Sequence, residues 1–513
     1  MGEVVVNCNS NNIIIVDSSG DNRTNSFHTS KKSFDSSRVH SFDIEESLTI
    51  EGISLSSSTA AGALHWPGRE LNTQDAWLPV TESRHGSIYS AVFHLLSSGF
   101  GFQALLLPVA LATLGWVWGI ICLSIAFLWQ FYTIWLLVNL HESDSGVRYS
   151  RFLHLSITAF GEKLGKLVTI FPVMYLSGGT CAMLIITGGG TLQLFFKNLC
   201  GDGHGPTCRA QLLSGVEWFL VFTCMAILLA QLPNLNSVTM VSLLGAVMAI
   251  VYYTIIWALP ISRDRPKDIS YHPLHASKSG MEKFGAVLNA IGIIVLSFRG
   301  HNVILEIQAT LPSRPKYPSH KTMWTGVKIS YILIAMSFFP LAIGGFWAYG
   351  NKIPANGGML KALSQFHGQD ISKFVMGLIY VLVVIYCLCS FQIYSMIVFD
   401  NLEFRYTSMK KQRCPRWLRT VFRLCFGGLV FFVSVAFPFL GSLAPLIGGL
   451  TMPLTYVYPC FMWISIKKLR PNGPMWLVNM ALGCLGVILC VLLVVAAIWN
   501  LADKGLNANF FRP

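Results

Sequence analysis

From Ser87 almost to its C-terminus the chain alternates long apolar runs with short polar stretches. A bilayer core about 30 Å thick takes about 20 residues of helix at 1.5 Å per residue, and about eleven runs of that size are present. They cover residues 87–114, 118–140, 167–195, 214–232, 237–259, 284–311, 325–349, 373–399, 421–437, 443–466 and 475–499. The pattern predicts an all-α polytopic membrane protein with about 11 transmembrane helices. An odd number of crossings sets the termini on opposite sides.

Residues 1–86 break this pattern: they are rich in Ser, Asn and acids and hold no run of span length. They predict a mostly disordered tail. The start lacks the charged, apolar and small-residue order of a signal peptide, and Val6 stands where a myristoylation signal needs Ser or Thr. Three regions follow: a tail at 1–86, a transmembrane domain at 87–500 and a short tail at 501–513.

Composition sharpens the class. Hydrophobic residues make up 53% and charged residues 12% of the 513 positions, which excludes a water-soluble domain of this size. The 1–86 tail holds 11 acids and 6 bases, against 13 and 31 in the rest, so the membrane part is basic. Those bases fall in loops, with no soluble basic domain to bind nucleic acid. Arg148, Arg151 and Lys163 share one side with Arg314, Lys316 and Lys321, with Lys410, Lys411, Arg413, Arg416 and Arg419, and with Lys467, Lys468 and Arg470. Basic loops face the cytosol, which predicts a cytosolic N-terminus and an extracellular C-terminus. Residues 260–283 dissent, with Arg263, Arg265, Lys267, Lys278 and Lys283 on the outer side.

The first and sixth runs are too long to cross as straight helices, and each is interrupted near its middle, by SSGFGFQ at 97–103 and SFRGHN at 297–302. An interruption frees backbone groups at membrane depth, tolerable where protein, water or substrate meets them. The two lie five spans apart in helices of opposite direction, as an inverted five-plus-five repeat with paired broken helices requires. A half-helix start there suits a carboxylate, and the facing carbonyl ends suit an ammonium. A zwitterionic amino acid carries both. The substrate-binding candidates are Ser98, Gly99, Gly101, Phe102, Gln103, Ser297, Phe298, Arg299, Gly300, Asn302 and Gln392.

Arg299 is costly at the bilayer centre, so it faces a cavity, break carbonyls or Glu306. His94, His301 and Glu306 are candidates for proton coupling, or else packing residues. Most cysteines fall within apolar runs as small hydrophobes, with no metal spacing. Cys200 and Cys208 flank GDGHGPT, and either close a small disulfide on an oxidising face or stay reduced.

Several segments are those of a known family: RYSRFLHLSITAFGEKLG at 148–165, QLPNLNSVTMVSLLGAVMAIVYYTIIW at 231–257, GHNVILEIQATLPS at 300–313, SFQIYSMIVFDNLE at 390–403 and FPFLGSLAPLIGG at 437–449. The chain resembles the plant amino acid/auxin permease family, in particular its lysine/histidine transporter-like branch. That resemblance implies eleven spans, the inverted-repeat fold of the bacterial leucine transporter, and proton-coupled import of amino acids; the plasma membrane is the expected location. It maps 98–104 and 297–302 onto the substrate-binding breaks. Phe102, Gln103, Leu106 and Arg299 stand where better-known lysine/histidine carriers have small residues. They fill the pocket region and favour neutral or acidic amino acids over lysine.

The competing readings are an auxin or other organic-acid carrier of the same fold and a non-transporting amino-acid sensor. A channel would need rings of like groups around a pore, and an enzyme would need paired carboxylates, a metal-spaced set or a nucleophile motif. Neither pattern is in the sequence. Protons are the expected coupling ion, with no other cofactor and no metal.

Overall fold

The computed structural model describes residues 8–9, 12–13, 77–143, 146–200, 213–273, 280–298, 300–314, 317–355, 357–504 and 511. Arg299, Cys208, Lys278, Lys316, the disorder expected over most of the N-terminal tail and most of the C-terminal tail lie outside the described residues. The chain divides into two units, Met1–His65 and Trp66–Pro513. In the first, Cys8–Asn9 pairs antiparallel with Asn12–Ile13.

The second unit is helical, and every predicted run is occupied by helix. The first run holds α1 (Ile88–Gly99), a 3-10 turn (Phe102–Leu106) and the start of α2 (Leu107–Leu140). At Gly115 the backbone takes φ +79°, cheap for glycine alone, so the chain turns there into the second run without a loop. After α3 (Phe152–Phe160), in a connection, come α4 (Glu162–Cys200), α5 (Gly215–Leu229) and α6 (Thr239–Ile261). The sixth run is split into α7 (Gly280–Ser297) and α8 (His301–Ala309). Then follow α9 (Ser319–Tyr349), the short α10 (Gly358–His367), α11 (Lys373–Lys410) and α12 (Arg416–Ala436). The tenth run carries α13 (Ala444–Met452), a π-helical turn at Pro453–Val457 and α14 (Tyr458–Ile466), and α15 (Pro474–Lys504) is last. Eight of these helices, counting α2 with its 3-10 turn, are long and apolar enough to cross a membrane. Breaks or shorter length divide the remaining runs.

Helix α11 is central, packed against α4, α6 and α1, while α7 packs on α2 and α13. Small residues let backbones touch: a Cβ on Gly292 of α7 would lie 2.9 Å from the Pro445 carbonyl oxygen. Lipid tails drive no helix association of their own, so this close fit does.

Three boundaries differ from expectation. Residues 77–86, read as tail, pack onto the helical body: Leu78 and Val80 are buried, the Val80 N–H donates to Asp400 Oδ1 at 3.2 Å and the Gly86 N–H to the Thr310 oxygen at 3.0 Å. A few apolar side chains suffice to dock a segment too short to register as a span. Helix α11 runs past 399 to Lys410, carrying Asp400 and Glu403 into protein rather than a loop, and α15 continues past 500 to Lys504.

Candidate functional site

The two breaks meet. Helix α1, opened by a Ser87/Ser90 capping box, ends at Gly99, and Phe100 and Gly101 are extended before the 3-10 turn. Helix α7 ends at Ser297, and Gly300 takes φ +110° to launch α8. Phe100 and Phe298 pair as an antiparallel bridge, so the two segments run in opposite directions, as an inverted repeat requires. Their rings both pack on Phe338, at centroid distances of 5.8 and 5.7 Å.

The half-helices beyond the breaks start without side-chain caps, at Gly101 for the turn into α2 and at Gly300 for α8. Their first N–H groups and positive dipole ends suit a carboxylate. The carbonyls at the end of α1 differ from expectation. Ser390 Oγ donates to the Ser97 oxygen, Tyr394 OH to the Ser98 oxygen and Tyr253 OH to the Gly101 oxygen, each at 2.6 Å. The Gly101 oxygen also accepts the Ala104 N–H at 2.8 Å and is used up, so the oxygens of Ser97 and Ser98 keep at most one lone pair each for an ammonium.

Polar side chains at the breaks are buried and short of partners. Gln103 is 1% exposed, and neither of its amide atoms has a hydrogen bond. Asn302 donates to Ser177 Oγ at 2.9 Å but its Oδ1 has no partner, and His301, held at Nε2 by Thr133 at 2.9 Å, has none at Nδ1. Ser297 Oγ donates to the Ile293 oxygen at 2.8 Å and lies 3.4 Å from the backbone oxygen of Gln103, and Ser98 Oγ closes back on the His94 oxygen at 2.8 Å. An orphaned buried amide group costs about 1–3 kcal/mol, a cost that a ligand with matching donors and acceptors removes.

The remaining candidates fall elsewhere. Gln392 donates to the Ala226 and Leu388 oxygens, both at 3.1 Å, so its amide nitrogen faces α5 and not the breaks. His94 is bonded to Ser242 at 2.7 Å and Thr239 at 3.4 Å, as a packing histidine between α1 and α6 is. Gly99, buried at the last turn of α1, packs against Ile334, and Phe102 is half-buried. Cys200 is disulfide-bonded, while Cys208 lies outside the described residues. The sequence reading missed Ser177, Tyr253 and Tyr394, single hydroxyls in apolar runs with no spacing signal.

Residues 77–86 form a strap over one end of the bundle, where a second polar cluster gathers. Arg151 Nε donates to Asp400 Oδ2 at 2.6 Å, and its Nη2 reaches Thr81. Arg419 pairs with Glu403 at 2.9 Å and donates to the Trp77 oxygen at 2.8 Å, and Arg413 pairs with Glu82. Arg148 bonds Glu142 and the oxygens of Gln308 and Leu311. Glu306 Oε1 accepts the Phe152 N–H at 3.4 Å. Just beyond α2, burial together with the charges of Arg148 and Arg84 pushes His141 well below the usual imidazole range, which keeps it neutral.

Residues 84–501 match the family described as transmembrane amino acid transporter protein. Lysine histidine transporter-like 8 of Arabidopsis thaliana is 52% identical over 86% of this chain and 84% of its own length. Lysine histidine transporter-like 7 of the same plant is 49% identical over 86% of this chain and 90% of its own. A solved Na⁺-coupled sialic acid symporter superposes with TM-score 0.47 at 12% identity, covering 85% of this chain and 93% of its own.

Proposed function

The chain belongs to the transmembrane amino acid transporter family, and on that premise we propose that it imports amino acids across the plasma membrane, driven by protons, by alternating access. The observation that carries this reading is the meeting of the two breaks around the unpartnered amide of Gln103 and the unpartnered amide oxygen of Asn302, beside two uncapped half-helix starts. Donors of that kind hold a carboxylate, and the amide oxygens and remaining carbonyl lone pairs hold an ammonium. Gln103 and Arg299 at the breaks favour neutral or acidic substrates, although the relatives' names refer to lysine and histidine.

Uptake of each of the twenty amino acids and of auxin into cells expressing the full chain, at two external pH values, tests the reading. Accumulation of at least one amino acid, faster at the more acid pH, is the expected result. Binding without flux makes the protein a sensor, and flux of auxin alone makes it an organic-acid carrier; either sinks the proposal.

The basic loops support a cytosolic strap end. A tag at residue 20 is then protected from antibody in intact cells and a tag after Pro513 is accessible. Both tags on one side contradict an odd number of crossings.

A further inference from the structure

Glu306 lies in α8, 3% exposed, and its Oε2 is buried with no hydrogen-bond partner. Its other oxygen accepts the Phe152 N–H of the first turn of α3. With Arg151, Thr169 of α4 and Asn401 of α11 it lines a cavity of about 10 Å³, room for about one water. The charged groups acting on it are Asp400 of α11 and Arg151 at the start of α3; among the described residues, α1, α2, α9 and the Pro453–Val457 turn, also packed near α8, add none. Arg151 is already committed, with Nε and Nη2 on the Asp400 carboxylate at 2.6 and 3.3 Å. Beside that neutral pair an ionised Glu306 leaves one uncompensated buried charge, the situation in which a carboxyl takes up a proton instead.

We propose that Glu306 carries the coupled proton, holding it while the strap end is closed and releasing it when that end opens. On opening, the carboxyl O–H bond breaks, its proton passes to water entering the cavity, and the carboxylate left behind is paired by Arg151 as that residue parts from Asp400. Influx of one proton per cycle thereby depends on the same ion pair that seals the strap end. His94 is bonded at both ring nitrogens, and His301 sits at the break; of the three candidates Glu306 lines the strap-end cavity. The inference rests on the proton-driven reading above.

The full chain in liposomes, supplied with an equimolar mixture of the twenty labelled amino acids and an interior one pH unit more alkaline, provides the test. Each coupled proton supports up to about tenfold accumulation under that gradient. Glu306→Gln keeps an oxygen for the Phe152 N–H but cannot titrate. It is expected to lose the gradient-driven accumulation while keeping counterflow of the same mixture within about threefold of wild type. Glu306→Asp, still titratable, is expected to keep the drive with a shifted pH midpoint. Accumulation by Glu306→Gln equal to wild type overturns the assignment. So does loss of counterflow by a folded Glu306→Gln, which ties the carboxyl to substrate movement itself rather than to the proton, and so does an unshifted midpoint in Glu306→Asp. Wild-type accumulation indifferent to the gradient is a different failure: it removes the proton-driven reading itself, and the assignment with it.

Discussion

Arg151→Ala is expected to abolish uptake and to lower stability by about 3–5 kcal/mol, the cost of stripping one partner from a buried ion pair. Asp400 is 1% exposed and Arg151 6%, so the stranded carboxylate finds little water. The variant also gives up the bond to Thr81 and the stacking of the guanidinium over Phe404, 5.1 Å from its centroid, which loosens the strap. Thermal unfolding in detergent reads the loss. Adding Asp400→Asn is expected to restore much of it, because the asparagine oxygen still accepts the Val80 N–H and no charge is left unpaired. A single variant that melts with the wild type, or a double variant no better than the single, shows that the pair does not hold the strap end.

Gly300→Val is expected to cut uptake at least about tenfold with surface expression nearly unchanged, through about 1–3 kcal/mol of backbone strain at the start of α8. The position has room: a Cβ there finds Ser98 Oγ at 3.8 Å, an ordinary contact. What it lacks is an allowed conformation, since φ is +110° and a β-branched residue does not adopt it. Relief of that strain re-aims the first N–H groups of α8 and the side chains of His301 and Asn302. Uptake by intact cells, normalised to surface protein, checks it. Normal uptake sets the substrate site away from this break. Gly101 is the instructive contrast, at φ −86°, where the backbone conformation alone does not require glycine.

The apolar runs and their interruptions were legible because both are local properties of the chain. A run of span length is helical wherever it sits in lipid, and SSGFGFQ and SFRGHN interrupt one whatever surrounds them. Thus the helices and the positions of both breaks follow from the order of residues alone, and the family resemblance from segments quoted along it. Gln103 was legible too, as an amide where the pattern wants an apolar side chain.

The partners were not legible. Ser98 and Tyr394 are 296 positions apart, Asn302 and Ser177 125, and Arg151 and Asp400 249. No period or spacing links such pairs, and only the packing of α11 against α1, α4 and α6 decides which hydroxyl meets which carbonyl. The same packing turned Gln392 toward α5, drew residues 77–86 out of the expected tail and placed Asp400 inside protein. Sequence determined where the backbone had to break, because hydrogen-bond geometry is set residue by residue. Tertiary structure decided what satisfies each break and which carboxyl is left over, because a buried polar group is answered by whatever side chain the fold brings within about 3 Å.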